Sequence, residues 1–170
     1  VDITEVILND HHEQRRMFGI LEEVSPDDTE ALGSVWKRLR ILLEVHAAAE
    51  EKLFYPRLLK LQQDRIARES PGEETEDAVH DHNEIRDAIA SVEDHPVGSI
   101  EWLRAVAEVN EVNSDHMAEE ERQGLTDFRR HVGLEERHTM AVAFAAFEAE
   151  HAGGISAHDV DPHQYLREHG

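Results

Sequence analysis

Two stretches of the chain set a histidine and a glutamate one helical turn apart, His46-Ala47-Ala48-Ala49-Glu50 and His116-Met117-Ala118-Glu119-Glu120. Imidazole nitrogen and carboxylate oxygen are ligands for first-row transition metals, but the same pair can also close as a simple hydrogen bond. Where the pair points separates the two outcomes. Around the first, Trp36, Leu39, Leu42, Leu43, Leu53 and Phe54 recur at three- and four-residue spacing, the pattern of a helix with one buried face. At ~100° per residue, His46 and Glu50 fall in the middle of that face. An unpaired carboxylate there is costly and needs a cation, a proton or a hydrogen-bonded partner. Around the second, Trp102, Val109 and Val112 define the apolar face, and His116 and Glu120 share it.

The same phase argument reaches two further helices. Ala78, Val79, Ile85 and Ile89 put His82 on the buried stripe and His80 roughly 160° away. Ile7, Phe18 and Leu21 put His11 at the edge of the buried face and His12 toward solvent. Four inward histidines, His11, His46, His82 and His116, and two inward carboxylates, Glu50 and Glu120, match a dinuclear site built where facing helices converge. A structural zinc would need only four ligands and leaves the second pair unexplained. Independent buried polar pairs are the competing explanation.

The elements that must position these residues are all helical. An amphipathic helix spans about Ile3 to Val24. Ser25-Pro26-Asp27-Asp28 breaks it and starts the next, with Ser25 as candidate N-cap and Pro26 at the first helical position. The second helix runs from about Thr29 to Tyr55, where Pro56 kinks it or ends it before a continuation through Leu58, Leu59 and Ile66. The polar run Glu69-Ser70-Pro71-Gly72-Glu73-Glu74 reads as a linker. A third helix covers about Thr75 to Val92. A fourth, capped by Ser99, runs to about Glu121 and toward Arg130. A fifth covers Leu134 to Glu150 with a stripe of Met140, Phe144 and Phe147, and a polar tail without helical period follows Gly153-Gly154. The expected fold is all-α: an antiparallel up-down four-helix bundle over about 3–130 with an added fifth helix at 134–151, one domain over 1–151, and a polar tail over 152–170.

Composition narrows the function classes. The 170 residues suffice for one domain with a substantial core. With no cysteine, any metal must be held by nitrogen and oxygen. A balance of 38 acidic against 17 basic residues, net −21, repels phosphate backbones and anionic lipid, so neither nucleic acid nor a membrane is an expected partner. No apolar run approaches ~18 residues and no basic-then-apolar amino-terminal segment is present, which points to a cytoplasmic location.

The segments DHHEQRRMF, HAAAEEKLFYP, HDHNEIRDAI and HMAEEER resemble, in order, the four helices of the hemerythrin-like (HHE cation-binding) family, with a likeness to its actinobacterial and mycobacterial members. The resemblance covers about Ile3 to Arg130. It implies a non-heme di-iron centre with an oxo or hydroxo bridge. Its terminal ligands would be His11 and His46 on one iron and His82 and His116 on the other, with Glu50 and Glu120 bridging. Oxygen-carrying relatives present a third-helix histidine pair four apart and a fourth-helix histidine followed by Asp five later. Here the positions four either side of His82 are Ala78 and Arg86, and the acid on the bundle phase is Glu120, with Glu121 its five-spaced rival. One iron is thus expected to lack a protein ligand relative to the oxygen carriers. That favours reaction with small oxidants such as hydrogen peroxide, dioxygen or nitric oxide, with catalase-like peroxide disproportionation the first reaction to test. Sensing or iron storage is the alternative.

Other residues compete for the missing position. Tyr55 in a regular helix points away from the site, but the residue before proline is pushed out of the α region and would swing inward as a phenolate ligand; an ordinary packed or surface tyrosine is the other reading. Arg86, near the inward face, is placed to hydrogen-bond a bridging glutamate or bound peroxide, or to form a salt bridge. His80 and Glu84 repeat the four-residue spacing on a solvent phase. His131, His138, His151, His158, His163 and His169 fall outside the constellation.

Overall fold

A computed structural model describes residues 1–64 and 72–170. Half of the expected linker, residues 69–71, and Ile66 lie outside the described residues, while Glu73 and Glu74 belong to the first turn of a helix. The described residues form helices α1 (Ile3–Glu23), α2 (Thr29–Ala49), α3 (Tyr55–Asp64), α4 (Glu73–Glu93), α5 (Ile100–Arg122), α6 (Gly124–His131), α7 (Leu134–Glu150) and α8 (Pro162–His169), with a π-helical segment, Glu50–Phe54, joining α2 to α3. Helices α1, α2, α4 and α5 close a four-membered bundle in which α5 returns to pack on α1. Helix α7 lies against α1, α2 and the π segment, and α8 against α4 and α3.

The helix starts follow from local chemistry. Asp2 caps α1 by accepting from Thr4 N at 2.9 Å, and Arg137 of α7 reaches back to the same carboxylate at 2.6 Å. Ser99 caps α5 by accepting from Trp102 N, as its sequence position predicts. For α2 the cap is Asp28, accepting from Ala31 N at 3.0 Å, and not Ser25. Pro26 and Asp27 complete a turn first, so the orphan amides of the helix meet the later acid. The end of α5 also departs from a continuous helix: the chain breaks at Gln123 and restarts as α6.

The tail is not without structure. Asp161 and Pro162 supply an N-cap and a first-turn proline, Asp161 Oδ1 accepts from Gln164 N at 2.7 Å, and α8 follows with Tyr165 buried. Asn83 of α4 fixes the approach by exchanging both hydrogen bonds with Val160, Nδ2 to the carbonyl at 2.7 Å and Oδ1 from the amide at 2.9 Å.

Two apolar clusters fill the bundle. One gathers Ile3, Ile7, Phe54, Tyr55, Val79, Leu125, Phe128 and Phe144; the other gathers Met17, Phe18, Leu39, Leu43, Ile85, Val109 and an edge-on Trp36–Trp102 pair. Helices α1, α2 and α4 pass from one cluster to the other, α5 does so together with α6, and an inward histidine marks each crossing: His11 between Ile7 and Met17, His46 between Leu43 and Ala49, His82 between Val79 and Ile85, His116 between Val109 of α5 and Leu125 of α6. The polar residues form a layer across the bundle between two hydrocarbon plugs.

The α4–α5 turn sets the spacing of two of these helices. Gly98 has φ +81°, and a Cβ there would stand 2.5 Å from the Pro26 carbonyl oxygen. Gly98→Ala should lower unfolding free energy by about 1–3 kcal/mol, read as a reduced urea midpoint with unchanged slope.

Candidate metal centre

All six predicted ligands are buried, with no more than 6% exposure, and the bundle brings them together. His11, His46, Glu50 and Glu120 converge as one group of potential donors; Glu50, His82 and His116 form a second. Glu50 belongs to both, its Oε1 3.0 Å from His46 Nε2 and its Oε2 3.2 Å from His82 Nε2. Glu120 joins the first group only, with Oε2 3.3 Å from His11 Nε2. Glu121, its rival by spacing, faces the other way.

Each imidazole is oriented by a carboxylate outside this inner set. His46 Nδ1 donates to Asp10 at 3.1 Å, His82 Nδ1 to Glu51 at 3.0 Å, His116 Nδ1 to Asp81 at 3.2 Å and His11 Nδ1 to Glu121 at 2.9 Å. The pairs close a ring around the bundle: α1 holds the histidine of α2, the π segment that of α4, α4 that of α5, and α5 that of α1. With Nδ1–H held by the outer acid, each Nε2 is turned toward the centre, the orientation a metal requires once any proton on Nε2 is displaced. Sequence reasoning missed this ring. Its signal was an acid adjacent to an inward ligand in every helix: Asp10 before His11, Glu51 after Glu50, Asp81 before His82, Glu121 after Glu120.

These inner atoms do not satisfy one another. His11 Nε2, His46 Nε2, Glu50 Oε1 and both Glu120 oxygens lack a hydrogen-bond partner in the protein, although some stand within ion-pair distance. His82 Nε2 and His116 Nε2 face each other at 3.1 Å, close enough for one proton to be shared between them. Each unmet group costs about 1–3 kcal/mol. Protons can supply part of the missing positive charge. At His82 burial opposes protonation, yet hydrogen bonds to Glu50 and Glu51 lift it to about 9. At His46 burial likewise opposes, and the Glu50 charge overcomes it. Glu50 is pushed up by burial but held well below the ordinary carboxylate range by His46. The donor set therefore fits a multivalent cation, which meets several of these atoms at once where one proton meets a single pair.

Comparison with known families matches residues 2–125 to the hemerythrin HHE cation-binding domain. The chain belongs to that family. Comparison with characterised proteins and with solved structures gives no match. The hemerythrin HHE match contains all six inner donor residues and the four outer acids, whereas α7 and α8 lie beyond it.

Tyr55 is fully buried with its hydroxyl 3.3 Å from both Glu50 Oε2 and His82 Nε2. The inward orientation is one of the two alternatives the sequence leaves open, but it arises for another reason. Tyr55 keeps α-region angles, φ −62° and ψ −35°, and Pro56 does not push it out. Instead Tyr55 N–H bonds to Glu50 O, five residues back, and the extra residue of the π turn rotates the side chain toward the centre. In that register Pro56 would bond to Glu51 O but has no N–H. The carbonyl so released is taken by the Tyr165 hydroxyl of α8.

Arg86 serves the outer set, with Nη2 2.8 Å from both Glu51 oxygens. From α7, Phe144 packs edge-on against His46, and Glu148 gathers with Asp10 and His46; burial and the Asp10 charge push the Glu148 carboxyl up to about 8. His80 is exposed and stands 3.5 Å from Glu84, and His138 and His151 bond to backbone carbonyls away from the centre.

A cavity of about 630 Å³ reaches the centre between α3, α4, α5 and α6, with Tyr55, Asp81, His116 and Glu120 in its wall. No described helix is long and apolar enough to cross a membrane.

Two outcomes test the outer set. Asp81→Ala should weaken metal binding 10- to 100-fold by removing the acceptor that orients His116, measured by competition with a chromophoric chelator. Tyr165→Phe leaves Glu51 O without its partner and should cost about 1–3 kcal/mol in chemical denaturation.

Proposed function

We propose that this hemerythrin HHE domain holds two iron ions and reacts with small oxidants, hydrogen peroxide foremost. The observation carrying this reading is Glu50, whose two oxygens face histidines of two different donor groups and so suit a bridge between two ions. His11, His46 and Glu120 complete the first group, and His82 and His116 the second. Tyr55 stands at the second group, where this chain lacks the second histidine of the oxygen-carrier pattern, and is the fourth protein donor of choice there. Iron is preferred to manganese on family resemblance, since both suit nitrogen and oxygen ligands.

An iron pair supplies two-electron exchange with peroxide, which no side chain here can provide. The chain supplies the rest. The ring of Asp10, Glu51, Asp81 and Glu121 keeps each imidazole in one tautomer. The apolar clusters exclude bulk water above and below, and the 630 Å³ cavity gives a small neutral molecule a path to the Glu120 side. Glu119, Asp77 and Asp81 in its wall disfavour anions. Tyr55 O–H, donating to Glu50, and the carboxyl of Glu148 can hold protons near the centre. We place this activity in the cytoplasm.

Iron-replete protein should carry two irons per chain by elemental analysis and release dioxygen from peroxide beyond one equivalent. Two irons without turnover would favour sensing or storage; under one iron per chain would remove the dinuclear reading. Tyr55→Phe should retain both irons and lose a visible phenolate-to-iron band. Metal affinity should rise with pH between 6 and 9, because His82 binds a proton up to about 9 and metal must displace it. Calorimetry in buffers of different ionisation enthalpy would read the released protons.

A further inference from the structure

On the face of the centre opposite Glu120 and Tyr55, the bundle closes over a second and much smaller space. A hollow of about 10 Å³ borders all four imidazoles, His11, His46, His82 and His116, and is roofed by Gln14 and Asn113. A cavity needs about 10–15 Å³ to hold a water-sized occupant, so this one stands at that lower limit and excludes anything larger than a diatomic molecule. Its remaining wall is hydrocarbon or thioether, including Leu43, Ile85 and Met117.

Gln14 and Asn113 form a pair for a reason visible in the sequence. Gln14 is one turn beyond His11 on α1, and Asn113 one turn before His116 on α5. Because α1 and α5 run in opposite directions, both fall in the layer directly above the histidines, toward the Trp36–Trp102 cluster. Asn113 Nδ2 donates to Gln14 Oε1 at 2.9 Å and also contacts Met117 Sδ at 3.7 Å. This commits the glutamine oxygen and turns its other arm free. Gln14 is 1% exposed, and its Nε2 finds no acceptor in the protein. An amide N–H₂ in a hydrocarbon wall needs an acceptor, and the space beside it is the hollow.

Resting on the dinuclear reading above, we infer that Gln14 is the hydrogen-bond donor for a one- or two-atom ligand held in the hollow against the imidazole face, with Asn113 fixing its orientation. The centre then has two unlike faces. The carboxylate and tyrosine face opens on a wide cavity. The imidazole face takes only a small neutral acceptor, and the amide favours dioxygen- or nitric-oxide-sized ligands over larger ones by size and over apolar ones by polarity. Gln14 acts on the ligand, not on the ligands of the metal, so iron content should not depend on it.

Nitric oxide added to the anaerobic ferrous-loaded protein is the probe, since its stretching frequency reports a hydrogen bond to its oxygen. Gln14→Met keeps length and removes the donor. It should retain two irons per chain, weaken nitric oxide binding about five- to tenfold as expected for one lost hydrogen bond, and raise the N–O stretch in the infrared. Asn113→Leu, which releases the orientation of Gln14, should move both readouts the same way by less, and serves if the first variant does not fold. Unchanged affinity and unchanged frequency in a variant that keeps both irons overturns the assignment of Gln14. Failure of the wild type to take up iron overturns the dinuclear reading itself, and the pocket with it.

Discussion

The structure depends on one uncompensated demand: a layer rich in lone pairs and negative charge buried between two hydrocarbon clusters. Six inner donors lie in that layer, and at least five of their polar atoms have no protein hydrogen bond. Moving such groups out of water without partners costs several kilocalories per mole in total, a large fraction of a domain's net stability. Hydrophobic burial by the Trp36–Trp102 and Phe54–Phe128 clusters holds the helices together above and below. It cannot answer the charge between them. Only cations can, and the ring of outer carboxylates makes multivalent ones the better answer, because it leaves every imidazole with its lone pair inward.

That demand explains features which look like local faults. A π turn weakens regular hydrogen bonding, and a proline in the next turn removes one more donor. Here the two occur together at Glu50–Pro56 and serve one end. A regular helix would carry Glu50 inward and Tyr55 outward; the added residue turns both toward the centre while Glu51 reaches His82 and Arg86. The carbonyl left by Pro56 is then met from a distant part of the chain by Tyr165, itself anchored through Val160 and Asn83 to the helix that carries His82. Helix α8 thus belongs to the support of the centre although it lies outside the span shared with the family.

The inner ligands were legible because helical phase is a strong signal. A histidine on a leucine stripe conflicts with its surroundings, and the conflict recurs in four helices. Phase also separated Glu120 from Glu121 and His82 from His80, and the geometry agrees in both cases. What phase could not give was any departure from ideal winding. Tyr55 points inward, but through the π register and not through the effect of Pro56 on its own backbone. The outer ring was hidden because each acid serves the histidine of the neighbouring helix, a relation between helices that no window along one helix reveals. Helix α8 was missed although Asp161-Pro162 is a start signal, because its single buried residue, Tyr165, gives no period to detect.

The distribution of charge about the centre bears on which chemistry the proposed irons would favour. Glu50 and Glu120 offer carboxylate oxygen on one side, with the Tyr55 hydroxyl beside them. On the other, each neutral imidazole is polarised by a carboxylate at its far nitrogen, which makes it a stronger electron donor. Both effects stabilise the more highly charged state of a bound ion. Reversible carriage needs an oxidised state that returns readily to the reduced one, whereas the proposed ligand field would resist the return and call for an oxidant that completes the electron transfer. Peroxide does so with cleavage of its own bond, and it is small and neutral enough to pass an acidic cavity wall. The same electrostatics that make this layer costly without a cation therefore support the proposed reading, reaction over storage of an unchanged ligand.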